Sequence, residues 1–247
     1  MNTDSNSVEW VSAPVGLKLG SDDVHLWRSS LDCDAPVLSR LETTLSPDEM
    51  ARANRFVFPT DRSHFVAARG ILRELLGAYL MLPPAELKFR YGNYGKPALD
   101  VNATDSDLQF NLSHSGGVAI YAFSLGRRLG VDVERIRPQL AGEDIARRYF
   151  AAREVIELQA LPAHLRAEGF FLCWTRKEAY VKAHGAGLSL PLDSFTVSLT
   201  PGRAAAELEA EDSDQWSMCS VEPAPGFVGA MVAEGRKWHS SWWNWSP

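Results

Sequence analysis

Leu129-Gly130-Val131-Asp132-Val133-Glu134 is the stretch that decides how this 247-residue chain is read. Val131 and Val133 are β-branched and favour extended backbone, and in a strand the side chains at i and i+2 leave the same face. Asp132 and Glu134 therefore point one way. Forty residues on, the chain reads Trp174-Thr175-Arg176-Lys177-Glu178-Ala179-Tyr180-Val181-Lys182. In a helix, positions i, i+4 and i+8 share a face, which stacks Trp174, Glu178 and Lys182, with Lys177 alongside. Two aimed carboxylates make half a magnesium site, and the helix can add a third carboxylate and cations for phosphate. Each signal alone is commonplace. A D-x-E pair is usually a solvated strand edge, and Glu and Lys four apart are ordinary helix-surface chemistry. Together they point to work on a phosphate.

Outward from this stretch, a strand runs from Gly130 through Ile136. Helices are expected over about 142–150, 152–161 and 163–184, then strands at 194–199, 204–211, 215–222 and 227–233. The preceding half has the same ingredients. Val24 to Trp27 alternates as a strand, and Ser46-Pro47-Asp48-Glu49 is a helix start, with Ser as cap, Pro at the first position and acids in the first turn. That helix is expected to reach about Phe58 and to break at Pro59-Thr60-Asp61. A longer helix follows from Arg62 to Leu82, burying Phe65, Ile71, Leu72, Leu75 and Leu76, and Pro83-Pro84 ends it. Strands are expected at Leu87 to Tyr91, Leu108 to Leu112 and Val118 to Ser124, with a turn at Gly126-Arg127-Arg128. The pattern predicts an α+β chain of two similarly built lobes without detectable sequence repetition, an N-terminal lobe over 8–126 and a C-terminal lobe over 127–235. A tail, 236–247, holds four of the eight tryptophans. It either packs back onto the body or presents aromatic rings to a partner.

Composition narrows the function classes. A 45% hydrophobic and 23% charged chain is globular, and at this length it supports one large domain or two smaller ones. No apolar run reaches the roughly 18 residues of a membrane span, and Met1-Asn2-Thr3-Asp4-Ser5-Asn6 lacks the basic and apolar regions of a signal peptide, so a cytoplasmic location is expected. Cys33, Cys173 and Cys219 are widely spaced, which indicates neither a disulfide framework nor a zinc knuckle. A formal charge of −6 argues against a general nucleic-acid binder, which needs cationic surface to displace counterions. An anionic ligand must meet a local basic patch.

Two loops offer one. Tyr94-Gly95-Lys96-Pro97 puts a cation where glycine lets the backbone approach a ligand and proline stiffens the exit, although alone it is an ordinary turn. Asn111-Leu112-Ser113-His114-Ser115-Gly116-Gly117 combines two hydroxyls, an imidazole and two glycines at a strand end, enough to present several donors to a phosphate. Arg52, Arg55, Arg62 and Arg69 on the early helices are either solvated faces or bidentate phosphate ligands.

These segments, in this order, resemble the 4′-phosphopantetheinyl transferases of the surfactin type, the two-lobed class that activates carrier proteins. The motifs are Gly95-Lys96-Pro97, Asn111 to Ser115, Gly130 to Glu134 and Phe171 to Lys182, with Gly185-Ala186-Gly187-Leu188-Ser189-Leu190-Pro191-Leu192 downstream. The likeness spans roughly residues 24 to 200. It implies two lobes related by pseudo-twofold symmetry, with coenzyme A bound at their junction and Mg²⁺ (or Mn²⁺) on its pyrophosphate. By position, Asp132, Glu134 and Glu178 match the metal carboxylates and Lys182 a phosphate-contacting lysine, with Lys177 beside it. Lys96 with Pro97, and His114 with Ser113, match the segments holding the 3′-phosphate and nucleotide end. Arg52 falls at a basic nucleotide contact. Glu49, one turn earlier, is acidic where relatives can carry a second basic residue, leaving Arg55 or Arg69 as substitutes. The resemblance further implies that the serine hydroxyl of an apo acyl or peptidyl carrier protein attacks the β-phosphate of coenzyme A and displaces adenosine 3′,5′-bisphosphate. Glu178 is the expected base and His114 a phosphate anchor. Arg135, Arg137, Arg147, Arg148 and Arg153 form a cluster that either steers an acidic carrier helix or merely solubilises an amphipathic helix.

Two other readings stand beside this one. A metal-dependent nuclease also uses acidic pairs with a nearby lysine, but this chain lacks the interleaved basic and aromatic residues of a strand-binding groove. A module that only docks carriers or coenzyme A would carry the same motifs without turnover. Two lobes in one chain complete a site by themselves, so a monomer is expected.

Overall fold

The structure, a computed structural model, describes residues 9–92, 97–100, 106–185, 187–202 and 206–247. The first half contains β1 (Val11–Ser12), β2 (Asp23–Ser30), α1 (Ala35–Glu42), α2 (Pro47–Ala53), α3 (Pro59–Leu80), β3 (Phe89–Tyr91), β4 (Pro97–Leu99), β5 (Leu108–Ser115) and β6 (Val118–Leu125). The second contains β7 (Leu129–Arg135), α4 (Glu143–Tyr149), α5 (Ala152–Ala160), α6 (Arg166–His184), β8 (Thr196–Val197), β9 (Leu208–Glu209), β10 (Trp216–Val221) and β11 (Phe227–Glu234), and β12 (His239–Asn244) follows.

Two main sheets form, ordered β1-β12-β2-β6-β5 and β10-β11-β7. Each half repeats one plan. A first strand, β2 or β7, leads to a long helix, α3 or α6, and then to a hairpin whose second strand, β6 or β11, returns antiparallel beside the first. The two halves of the chain thus share a strand, helix and hairpin order.

Strand alternation sorts the core into layers. On β6, Ala119, Tyr121 and Phe123 face α3 residues such as Ile71, Leu72 and Leu76. Its alternate residues Ile120 and Ala122, with Val24 and Leu26, pack against Val131, Val133, Met231 and Ala233 of the other sheet. The outer face of that second sheet, through Val228, Ala230 and Val232, is covered by Phe170, Phe171 and Val181 of α6. The result is helix, sheet, sheet, helix.

Several boundaries differ from the sequence expectation. α2 ends at Ala53, and Pro59 opens α3 as its first residue instead of breaking a helix, because a missing N–H costs nothing in the first turn. α1 was not anticipated, although Asp34 caps it by accepting from the Val37 N–H at 3.0 Å, with Pro36 in the first turn. The tryptophan-rich tail packs back onto the body: β12 lies parallel to both β1 and β2. Trp243 meets Trp27 and His25 edge-on at 5.0 and 4.3 Å, and Trp242 enters the core between the sheets. Among the described residues no helix is long and apolar enough to cross a membrane.

Candidate active site

Gly130 sets the distance between α6 and the second sheet. A Cβ there would lie 2.2 Å from the Ala179 carbonyl oxygen and 2.3 Å from the Ala183 nitrogen, so only glycine lets the helix backbone cross β7 this closely. One residue further along β7 stands Asp132's neighbour Val131, turned into the core between the sheets. Asp132 and Glu134 leave the opposite face, where Lys182 of α6 reaches Asp132. Its Nζ lies 2.6 Å from Asp132 Oδ1 and also donates to Ser113 Oγ at 3.1 Å and to the Val131 carbonyl at 3.2 Å.

The first lobe supplies the other side. β5 and β7 are edge strands of their sheets and run side by side. Alternate residues of β5 bridge them. Asn111 Oδ1 accepts from the Val131 N–H at 2.9 Å, Ser113 Oγ donates to Asp132 Oδ1 at 2.7 Å, and Ser115 Oγ donates to Glu134 Oε2 at 2.5 Å. The serines expected to offer donors to a phosphate thus turn toward carboxylates.

The carboxylates repel one another. Glu178 is held above the usual glutamate range by desolvation, then by the charge on Asp132, with Glu134 adding to it and Lys182 opposing. Desolvation likewise raises Glu134, against the pull of the Ser115 hydroxyl and with Asp132 adding repulsion. Such raised values mark a site short of positive charge. Asp132 is buried, and its Oδ2 has no hydrogen-bond partner among the described residues. A buried carboxylate oxygen left bare is costly unless a cation meets it. No group of three His, Cys, Asp or Glu side chains among the described residues is gathered as a finished metal cage. Lys182 serves as the counter-charge to Asp132, and the chemistry of an all-oxygen donor set with one bare carboxylate oxygen suits a hard divalent ion.

A cleft of about 620 Å³ opens beside these groups, lined from the first lobe by Pro97, Asn111 and Leu112 and from the second by Arg148, Tyr149, Glu178, Val181, Lys182 and the 190–193 segment. Arg148, Glu178, Lys182 and Asp193 are its charged lining residues, and the rest of the lining is mostly apolar.

The other expected site residues distribute unevenly. His114 keeps solvent contact, yet its pKa is pushed below the ordinary histidine value by desolvation, then by Lys182, His64 and Arg69, which places the ring within reach of those cations' fields. Lys96 lies outside the described residues. Arg52 stands in a separate recess of about 560 Å³ with Asp48, Glu49, Arg55, Phe56 and Tyr91. Glu49 turns inward: it closes the capping box of α2 on the Ser46 N–H and forms a buried ion pair with Arg73 at 2.6 Å, with Arg69 at 3.7 Å. Lys177 is wholly buried, and its three donors go to the Leu192 carbonyl at 2.6 Å, the Phe195 carbonyl at 2.6 Å and Glu154 Oε2 at 2.8 Å. It fixes the cleft wall instead of lining the cleft. Of the arginine cluster, Arg137, Arg147 and Arg153 pair with Glu134, Glu143 and Glu209, and Arg148 lines the cleft.

Glu154 was missed by sequence reasoning. It accepts from the Ala151 N–H at 2.8 Å and the Val197 N–H at 2.7 Å, so one carboxylate ties α5, α6 and β8 together. Its local signal, a glutamate at the third position of a helix, reads only as a capping residue.

Comparison with known proteins adds an independent finding. A profile described as the 4′-phosphopantetheinyl transferase superfamily matches residues 128–232, and one described as 4′-phosphopantetheinyl transferase, N-terminal, matches residues 32–125. The 4′-phosphopantetheinyl transferase HetI of Nostoc sp. (strain PCC 7120) is 42% identical over 236 residues, 96% of this chain and 98% of the relative. The 4′-phosphopantetheinyl transferase Sfp of Bacillus subtilis (strain 168) is 32% identical over 199 residues, 78% of this chain and 84% of its own. Among solved structures, the Chronobacterium ammoniagenes ACPS-CoA complex is 18% identical, covering 44% of this chain and 98% of its own, with a TM-score of 0.33.

Proposed function

The chain belongs to the 4′-phosphopantetheinyl transferase superfamily, and from that premise we propose how its own residues perform the transfer. The enzyme moves the 4′-phosphopantetheine group of coenzyme A to a serine of an apo carrier protein, releasing adenosine 3′,5′-bisphosphate. The serine oxygen bonds to the β-phosphorus as the bridging bond to the nucleotide phosphate breaks, and the serine proton must leave.

In our reading, Asp132, Glu134 and Glu178 would hold a magnesium ion, with manganese as an alternative. The bare buried Oδ2 of Asp132 supports this fit. Such an ion supplies charge neutralisation on the diphosphate oxygens. Lys182, already 2.6 Å from Asp132, is assigned to the same phosphate oxygens and offsets the charge that grows as the bridge breaks. Glu178 is assigned as base for the serine, directly or through a water.

The nucleotide end of coenzyme A is assigned to Ser113, His114, Lys96, Pro97 and Arg52, and Lys177 is given a supporting role behind the cleft wall. The mostly apolar cleft offers a path for the pantetheine arm and a mouth where Arg148 and Tyr149 can meet the carrier. Because both lobes of one chain line that cleft, a monomer completes the site. We draw the lobes at 8–126 and 127–235, with 236–247 as the segment that returns to the first sheet. A cytoplasmic location fits substrates that are made there. Acyl and peptidyl carriers are both compatible with this site.

The observation that carries this reading is the convergence of Lys182 from α6 with Asp132 from β7 and Ser113 from β5. Mass spectrometry of an apo carrier incubated with the protein, coenzyme A and Mg²⁺ tests it. The expected result is one added phosphopantetheine on the carrier serine, lost in Glu178→Gln. Coenzyme A binding without a mass shift across acyl and peptidyl carriers would favour a docking module, and metal-dependent cleavage of DNA or RNA would favour the nuclease.

A further inference from the structure

The bridge between β5 and β7 ends on a residue that no part of the reaction scheme uses. Ser115 closes the β5 edge, and its hydroxyl makes two contacts with β7 at once. It donates to Glu134 Oε2 at 2.5 Å and accepts from the Arg135 N–H at 3.2 Å. The same Glu134 oxygen is reached from the solvent side by the exposed Arg137 guanidinium at 3.4 Å. One oxygen of Glu134 is therefore shared between the Ser115 hydroxyl and the longer, exposed Arg137 contact. Asn111 holds the Val131 N–H and Ser113 the Asp132 carboxylate, so alternate β5 side chains grip β7 up to Glu134.

We infer that Ser115 is a positioning residue for the divalent ion, fixing the Glu134 carboxylate by the shorter of the two contacts on its Oε2. This rests on the metal assignment given above. Without the Ser115 hydroxyl, only the exposed Arg137 contact at 3.4 Å holds that oxygen, and the ion must order the carboxylate on binding. Ser115 touches no reacting atom, and its effect reaches the chemistry through Glu134 alone. It is also one of three β5 side chains that bridge to β7, so it bears on both the junction and the metal pose.

The test uses full-length protein saturated with coenzyme A and no acceptor, titrated with magnesium chloride in a calorimeter. Loss of an oriented partner of a metal-binding carboxylate typically weakens ion affinity by 10–100-fold, and Ser115→Ala is expected to weaken it about tenfold. Ser115→Thr, which keeps the hydroxyl, is expected to retain wild-type affinity. Thermal melting without magnesium accompanies both, because a purely structural seam would lower the melting temperature of Ser115→Ala and leave magnesium affinity unchanged. That outcome overturns the inference, as does a Thr variant as weak as Ala. Wild-type protein that takes up no magnesium overturns the metal assignment and the role of Ser115 with it. Magnesium uptake by the wild type with no change in Ser115→Ala overturns the role of Ser115 alone.

Discussion

Lys182 Nζ stands 2.6 Å from Asp132 Oδ1, so the last turn of α6 is tied by an ion pair to the middle of β7. The carboxylate is nearly buried while the ammonium keeps about a third of its exposure, which leaves the lysine able to exchange partners and the aspartate not. Replacing either removes charge from the place where we propose that the diphosphate binds. Asp132→Asn and Lys182→Ala are each expected to lower kcat for transfer by roughly 10²–10³, the usual loss for one group that stabilises developing charge. Steady-state assays with a fixed carrier protein measure this, and wild-type kcat in either variant would remove that residue from the mechanism.

Gly130 makes the ion pair possible, since any larger side chain overlaps the backbone of α6. Gly130→Ala is expected to cost about 1–3 kcal/mol or more, in the range of overpacked cores. Transfer should fall with it, because lifting the helix moves Glu178 and Lys182 together. Denaturant unfolding read beside kcat checks both, and a variant with unaltered stability would mean that α6 crosses β7 less closely than described.

Lys177 and Glu154 form a wholly buried pair. Lys177→Met leaves the Glu154 charge and two carbonyl oxygens uncompensated, and a loss of about 3–5 kcal/mol is expected in urea unfolding. Glu154→Gln in the Lys177→Met background should recover part of it by removing the stranded charge. If Lys177 instead met the coenzyme, stability would hold while KM for coenzyme A rose.

His25 is buried against Tyr79 and Trp243, with Nδ1 2.8 Å from the Tyr79 hydroxyl, and burial lowers its pKa to about 4. The unfolded chain titrates near the ordinary value of 6.5, so below that pH it takes up a proton that the folded chain refuses. The stabilisation is complete above pH 6.5 and is lost as pH falls toward 4, by about 3 kcal/mol over that interval. Melting of wild type and His25→Gln across this range should show a steeper acid loss in the wild type; parallel curves would show that His25 titrates normally.

The site was legible where chemistry repeats at a fixed spacing. The D-x-E alternation and the i, i+4 relation of Glu178 and Lys182 depend only on strand and helix periodicity, and both survive in the fold. The tryptophan tail was ambiguous because apolar rings announce burial without naming a partner, and its place between β1 and β2 depends on a pairing across the whole chain. Lys177 looked like its neighbour Lys182 because helical spacing puts both near Glu178. Which one faces the cleft is decided by the 192–195 carbonyls and Glu154, which sequence order does not bring together. Pro59 read as a break because proline stops a helix from inside and starts one from outside, and the two cases share a local sequence.

The central claim is that Asp132 on the strand and Glu178 on the helix act on one ion at one diphosphate. The most direct measurement is a double-mutant cycle on kcat/KM for transfer with Asp132→Asn, Glu178→Gln and the pair together. Groups acting as one unit are strongly non-additive, so the double variant should be little worse than the more damaged single variant. Losses that multiply through the cycle would mean that the two carboxylates work independently, and would contradict the account.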